Sequence, residues 1–169
     1  IEINMHKDFI KTLEKLAGLV YKELGDGFDE DLYQRGLAFE FRKSKIDYLR
    51  ETNIETFYKN QMLALRELDF LIPKQKNKDF NLTTSLIIEC KYDSKLSDRH
   101  RSQLRQYLKS IPLNSTNELK SITHGILLNW QKSNTYDETR IASKTPIQIE
   151  LWSFDRKKDM ELVFRNFVL

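Results

Sequence analysis

A single cysteine, Cys90, rules out an internal disulfide and fits a reducing compartment. Long apolar runs are also missing. The mean hydropathy is −0.59, and no stretch approaches the roughly 18 residues that a membrane span needs. Ile1-Glu2-Ile3-Asn4 lacks the basic-then-apolar pattern of a secretory leader. The expectation is an intracellular protein that is neither secreted nor embedded in a membrane. With only 5 Gly and 3 Pro, collagen-like, linker-rich and low-complexity classes are excluded. The 3 histidines, His6, His100 and His124, have no mutual spacing that would hold zinc. The chain also lacks the lopsided charge of a dedicated nucleic-acid module: 28 basic against 25 acidic residues leave +3.

What remains is 169 residues, 40% hydrophobic and 31% charged. That suits one domain with a core of its own. Charge is uneven along the chain. Residues 91–109 carry Lys91, Lys95, Arg99, Arg101, Arg105 and Lys109 against Asp93 and Asp98. Such a stretch attracts phosphates over about a Debye length, or is simply a solvated helix face.

Ile10, Leu13, Leu16, Ala17, Val20, Tyr21 and Leu24 recur at helical steps and predict a helix over 5–23, stopped at Gly25-Asp26-Gly27. A second helix is predicted from Phe28 to Lys43. Residues 46–58 and 62–72 read as strands around a turn at Lys59-Asn60-Gln61. Residues 74–82 read as a loop. Ser85–Tyr92 and His124–Trp130 read as buried strands, with a helix capped by Ser97-Asp98 between them. Residues 131–146 form a polar excursion, 147–154 an alternating strand, and 161–169 a last strand or docked tail. The class is a mixed α/β sandwich with a sheet of about four to six strands and one crossover.

The chemistry concentrates in an acid, a long gap, and Glu-x-Lys on a strand. Glu89 and Lys91 share one face of their strand, while Cys90 points to the other and packs as core. If the strands are neighbours, Asp69 lies beside Glu89. Two adjacent carboxylates repel unless a cation or shared proton intervenes. Hard cations such as Mg²⁺ take such oxygen ligands, and a nearby lysine orients water and offsets phosphate charge. The plain alternative is a surface Glu89–Lys91 pair with Asp69 as an edge charge. Against it, charges seldom interrupt a buried strand without a partner. Glu67 is a candidate accessory acid or an exposed charge.

Gly27-Phe28-Asp29-Glu30-Asp31-Leu32-Tyr33 matches G-x-x-E-x-x-Y, after the lead-in Val20-Tyr21-Lys22-Glu23-Leu24-Gly25 and before Leu37-Ala38-Phe39-Glu40-Phe41-Arg42. Leu68–Ile72, Leu86–Lys91, Gln103–Leu108 and Gly125–Trp130 follow in order as L-D-F-L-I, L-I-I-E-C-K, Q-L-R-Q-Y-L and G-I-L-L-N-W. From about 19 to 130 the chain resembles the GxxExxY proteins, a branch of the PD-(D/E)XK nuclease superfamily. Residues 131–169 are an extension with an extra strand. The loop at 74–82 is longer than the family's, and Cys90 replaces an aliphatic residue.

The resemblance implies a restriction-endonuclease-like core and a nuclease acting on DNA ahead of RNA. It implies Glu30, Asp69 and Glu89 as ligands of Mg²⁺, with Mn²⁺ as an alternative. It implies catalytic roles for Lys91, Glu89, Asp69 and Gln103. Tyr33 and Tyr107 would support the site or contact a nucleic acid, and Lys95, Arg99, Arg101 and Arg105 would steer the backbone. Gln103 and Tyr107, four apart, share a helix face. Each has a plainer reading: Glu30 as a helix-dipole acid, the tyrosines as core, Gln103 as surface. Two further expectations are a non-catalytic scaffold on the same fold and a homodimer paired through its C-terminal strand.

Overall fold

A computed structural model describes residues 2–132 and 146–166, with side chains from Met5 onward. Helix α1, Glu2–Leu24, buries Phe9, Ile10, Leu13, Leu16, Ala17 and Val20 along one stripe. It begins three residues earlier than its periodicity predicts. Gly25 ends it at φ 73, a left-handed conformation that glycine adopts without strain. Helix α2, Glu30–Lys43, starts at the Asp29 cap, whose side chain accepts the Leu32 N–H at 2.9 Å. Acids occupy its first turn and Arg42 and Lys43 its last, as the helix dipole favours.

Strands β1, Leu49–Tyr58, and β2, Gln61–Ile72, form a hairpin. Its two turn residues, Lys59 and Asn60, both have positive φ, which matches the strand twist. Strand β1 starts after the predicted Ile46, which instead plugs the helix-side core at 3% exposure. The predicted loop at 74–82 contains a small hairpin, β3 (Gln75–Lys76) and β4 (Asn81–Leu82), and buries Phe80 and Leu82. Strand β5, Leu86–Asp93, leads into α3, Asp98–Ser110, and then through two short 3₁₀ turns to β6, His124–Gln131, parallel to β5. Strands β7, Ile147–Asp155, and β8, Asp159–Arg165, add on antiparallel. Residues 133–145 of the expected excursion and 167–169 of the expected tail lie outside the described residues.

The main sheet has the order β1-β2-β5-β6-β7-β8. Helices α1 and α2 pack on one face, over Phe70, Ile88, Cys90, Ile126 and Trp130. Helix α3 packs on the other, setting its Leu104 and Leu108 against Ile87 and Leu127. The mixed α/β class with a six-stranded sheet is the architecture expected from the sequence. Along β2 the alternation resets at Asp69. Phe70 joins the helix-side core but Leu68, two residues away, joins the α3-side core. Across the ladder, Glu51 sits between the Arg50–Phe70 and Thr52–Leu68 pairs with φ 56. This break lies next to the acid of interest.

Candidate metal and catalytic centre

Strands β2 and β5 pair through Ile72–Leu86, Leu71–Ile87 and Phe70–Ile88, and there the ladder stops. The next two residues, Asp69 and Glu89, face each other where the strands part. Their carboxylates replace the missing ladder bonds. Glu89 Oε1 accepts the Asp69 N–H at 3.2 Å, and Asp69 Oδ2 accepts the Cys90 N–H at 2.8 Å. A fork of two strands thus presents two carboxylates into one cleft while leaving no buried backbone donor unmet at these positions.

Lys91, two residues on from Glu89, is half-buried. Its ammonium donates to Gln103 Oε1 at 2.7 Å, and Gln103 Nε2 donates to the Tyr107 hydroxyl at 3.0 Å. Gln103 and Tyr107 lie one turn apart on α3. Helix α3 therefore holds the lysine over the fork through a chain whose end, Tyr107, is only 6% exposed.

Glu30 enters from the first turn of α2. The loop before it is tied to β5, where the Tyr92 hydroxyl donates to Asp26 and accepts the Gly27 N–H at 2.7 Å. Tyr33 lies beneath, stacked on Tyr92 and Trp130 at centroid distances of 4.8 and 5.5 Å. Its hydroxyl donates to Gly25 O at 2.6 Å. Being fully buried, Tyr33 supports the loop and cannot touch a nucleic acid, which corrects half of the expectation for it.

The electrostatics match the crowding. Burial, and then the Asp69 charge, push the Glu89 carboxyl well above its ordinary range. Burial also raises Asp69, against hydrogen bonding from the Cys90 backbone and the pull of Lys91. Burial raises Glu30, with Lys91 opposing and Asp69 adding to the rise. Three acids near one lysine hold protons more tightly than free carboxylates do, as a site that favours added positive charge should.

Among the described residues, no three His, Cys, Asp or Glu side chains are close enough to form a ready-made ligand cage. The centre consists of the Asp69–Glu89 pair, with Glu30 near enough to feel the charges of Asp69 and Lys91 and hydrogen-bonded to Gln34 at 3.3 Å. The donor set fits a hard divalent cation in kind: carboxylate oxygens, no sulfur, no imidazole.

The basic stretch divides. Lys95 and Arg99 are exposed. Arg101 is not free for a ligand: its Nε and Nη2 bind the two oxygens of Glu150 at 2.8 and 2.7 Å, and Nη1 binds Asp98 at 2.9 Å. Glu150 on β7 is fully buried, and a buried carboxylate needs such a partner. Arg105 pairs with Asp159 at 2.7 Å and remains 40% exposed. Glu67 is exposed and away from the fork's hydrogen bonds.

Sequence reasoning missed Gln34, 7% exposed on α2, and Arg50 on β1. Gln34 Nε2 donates to Glu30 Oε1 at 3.3 Å, and Arg50 Nη2 donates to Gln34 Oε1 at 3.2 Å. The four-residue step from Glu30 to Gln34 is a readable signal. A lone arginine in a polar strand is not.

A mixed sheet forked at two acids, with Glu-x-Lys on the inner strand and helices on both faces, defines the restriction-endonuclease-like class of α/β folds. The profile of the PD-(D/E)XK nuclease superfamily matches residues 7–141, and the chain belongs to that superfamily. The match extends further at both ends than the expected 19–130. Members are generally nucleic-acid hydrolases that use divalent metal ions. No curated protein and no solved structure matches the chain significantly. Among the described residues, no helix is long and apolar enough to cross a membrane.

Proposed function

We propose that this chain is a Mg²⁺-dependent nuclease of the GxxExxY branch, with Mn²⁺ as a substitute, that hydrolyses phosphodiester bonds in DNA ahead of RNA. The observation that carries the reading is the fork, where Asp69 and Glu89 meet and Lys91 is held above them by Gln103 at 2.7 Å. Asp69, Glu89 and Glu30 would hold the cation, which when bound polarises the scissile phosphate.

The chain's own groups supply the rest. The Lys91 ammonium offsets the negative charge that builds on the phosphate as a water oxygen attacks phosphorus. Gln103 fixes that ammonium and leaves it two further N–H donors for water and phosphate. The P–O bond to the leaving group breaks as the new one forms. The water's proton passes to solvent. Exposed Lys95 and Arg99 lie close to Lys91 in sequence and would steer the nucleic acid to it. We place the protein in a reducing, nucleic-acid-containing compartment. A second copy is proposed to pair along β8, an edge strand of the sheet.

The test is cleavage of labelled single-stranded, double-stranded and branched DNA and of RNA, with Mg²⁺, Mn²⁺ or EDTA. Wild type is compared with Lys91→Met and Glu89→Ala. Metal-dependent cleavage lost in both variants supports the reading and names the substrate. Binding without cleavage, equal in all three proteins, would leave a scaffold on a nuclease fold.

A further inference from the structure

Arg50 stands one strand away from the fork, opposite Phe70 and therefore beside Asp69 in the ladder. Its side chain is 22% exposed, and its guanidinium lies 5.6 Å from the Phe70 ring centroid. It contacts Asp31 at 3.5 Å, while its buried Nε has no partner among the described residues. Its shortest polar contact is to Gln34, at 3.2 Å.

That contact determines how Gln34 sits. A guanidinium only donates, so the amide must turn its oxygen toward Arg50. Its two N–H groups then face the acids. One meets Glu30 at 3.3 Å, and the amide's pull also helps to lower the proton affinity of Asp69. The flipped amide would set N–H against guanidinium and its carbonyl against two carboxylates. Every polar neighbour of Gln34 therefore selects the same orientation. In it, a single amide binds the acid from α2 and turns its donor side toward the acid from β2.

We propose that Arg50 is a positioning residue that acts through Gln34 to hold Glu30 and Asp69 at the spacing a divalent cation needs. The inference rests on the metal-centre reading above and adds to it the device that brings the α2 acid to the fork. Arg50 itself does not reach the fork. Its effect is on ligand geometry, as partners of metal ligands commonly act.

The experiment uses the full chain, wild type and Arg50→Met, with melting curves as a folding control. In metal-free, ¹⁵N-labelled protein, the Gln34 side-chain amide pair is expected at shifted, distinct positions in wild type. In Arg50→Met it should collapse toward the positions of free glutamine. Mn²⁺ uptake, read from the electron paramagnetic resonance of free Mn²⁺, should weaken about ten-fold or more. If Arg50→Met does not fold, Gln34→Met removes both N–H donors, and the same loss of Mn²⁺ affinity is expected. A folded Arg50→Met with the wild-type amide signature, or with Mn²⁺ affinity within about two-fold of wild type, overturns the proposal and leaves the centre standing. A wild type that takes up no Mn²⁺ overturns the centre itself, and the proposal with it.

Discussion

Replacing Glu89 by Gln should stabilise the metal-free protein at neutral and alkaline pH. Glu89 is 3% exposed and sits against Asp69 with its carboxyl pushed well above the ordinary 4.5, first by burial and then by the Asp69 charge. Two adjacent unit charges repel by about 3–4 kcal/mol at an effective dielectric of about 20. The Gln oxygen can still accept the Asp69 N–H held at 3.2 Å, so that bond is weakened rather than lost. Its new N–H₂ can donate to Asp69, standing in for the proton that the pair otherwise shares. The net gain is about 2 kcal/mol, or about 4–8 °C in Tm for a chain of this size.

The sign follows from linkage. Folded Glu89, Asp69 and Glu30 bind protons more tightly than they do unfolded. Their stabilisation is complete below the ordinary values of 4.5 for Glu and 3.8 for Asp, and is lost as pH rises through the raised ones. Wild type in EDTA should therefore lose Tm as pH rises above the ordinary carboxylate range, and the advantage of Glu89→Gln should fade as pH falls back toward it. Mg²⁺ at about 100 times its dissociation constant should restore about 2.7 kcal/mol to wild type and little to the variant. Thermal melts by circular dichroism over pH 5–9, with EDTA or Mg²⁺, read all of this. A Glu89→Gln protein less stable than wild type at pH 8 in EDTA, or a wild-type Tm flat across that range, refutes the argument.

Two further outcomes concern the frame. Arg101→Met should cost about 3 kcal/mol by urea denaturation, because it strips the bidentate partner from fully buried Glu150 and leaves it the Trp152 indole N–H at 2.9 Å and Arg165 at 3.3 Å. Burial raises Glu150's proton affinity, but the hydrogen bonds from Arg101 and Trp152 and the charges of Arg101 and Arg165 together more than offset it. A loss under about 1 kcal/mol would return Arg101 to the set available for nucleic acid. Gly125→Ala should cost about 1–3 kcal/mol, since a Cβ there would lie 2.7 Å from Leu104 Cδ1 and 3.2 Å from Ile87 Cγ1. An unchanged urea midpoint would mean that α3 gives way against β6 more easily than its packing suggests.

What the sequence made legible follows from which interactions are local. The helical stripe of α1, the Asp29 cap, the Lys59-Asn60 turn and the alternation of Glu89, Cys90 and Lys91 are each written within a few residues, so period and composition reveal them. Asp69 opposite Glu89 needed one further assumption, that β2 and β5 are neighbours, and the antiparallel register supplies it. The misreadings arise where a distant partner decides. Arg101 reads as a phosphate contact until β7 brings Glu150 beneath it. Residues 74–82 read as loop because Phe80 and Leu82 are isolated in a polar stretch, yet both are buried in the helix-side core. Arg50 has no local signature because its role exists only once β1 lies beside β2 and Gln34 is turned by α2. Thus the candidate acids, two of them on a buried strand and its neighbour, leave a mark in the hydrophobic pattern they interrupt. The residues that aim them lie on ordinary polar surfaces and interrupt nothing, so only the fold brings them into view.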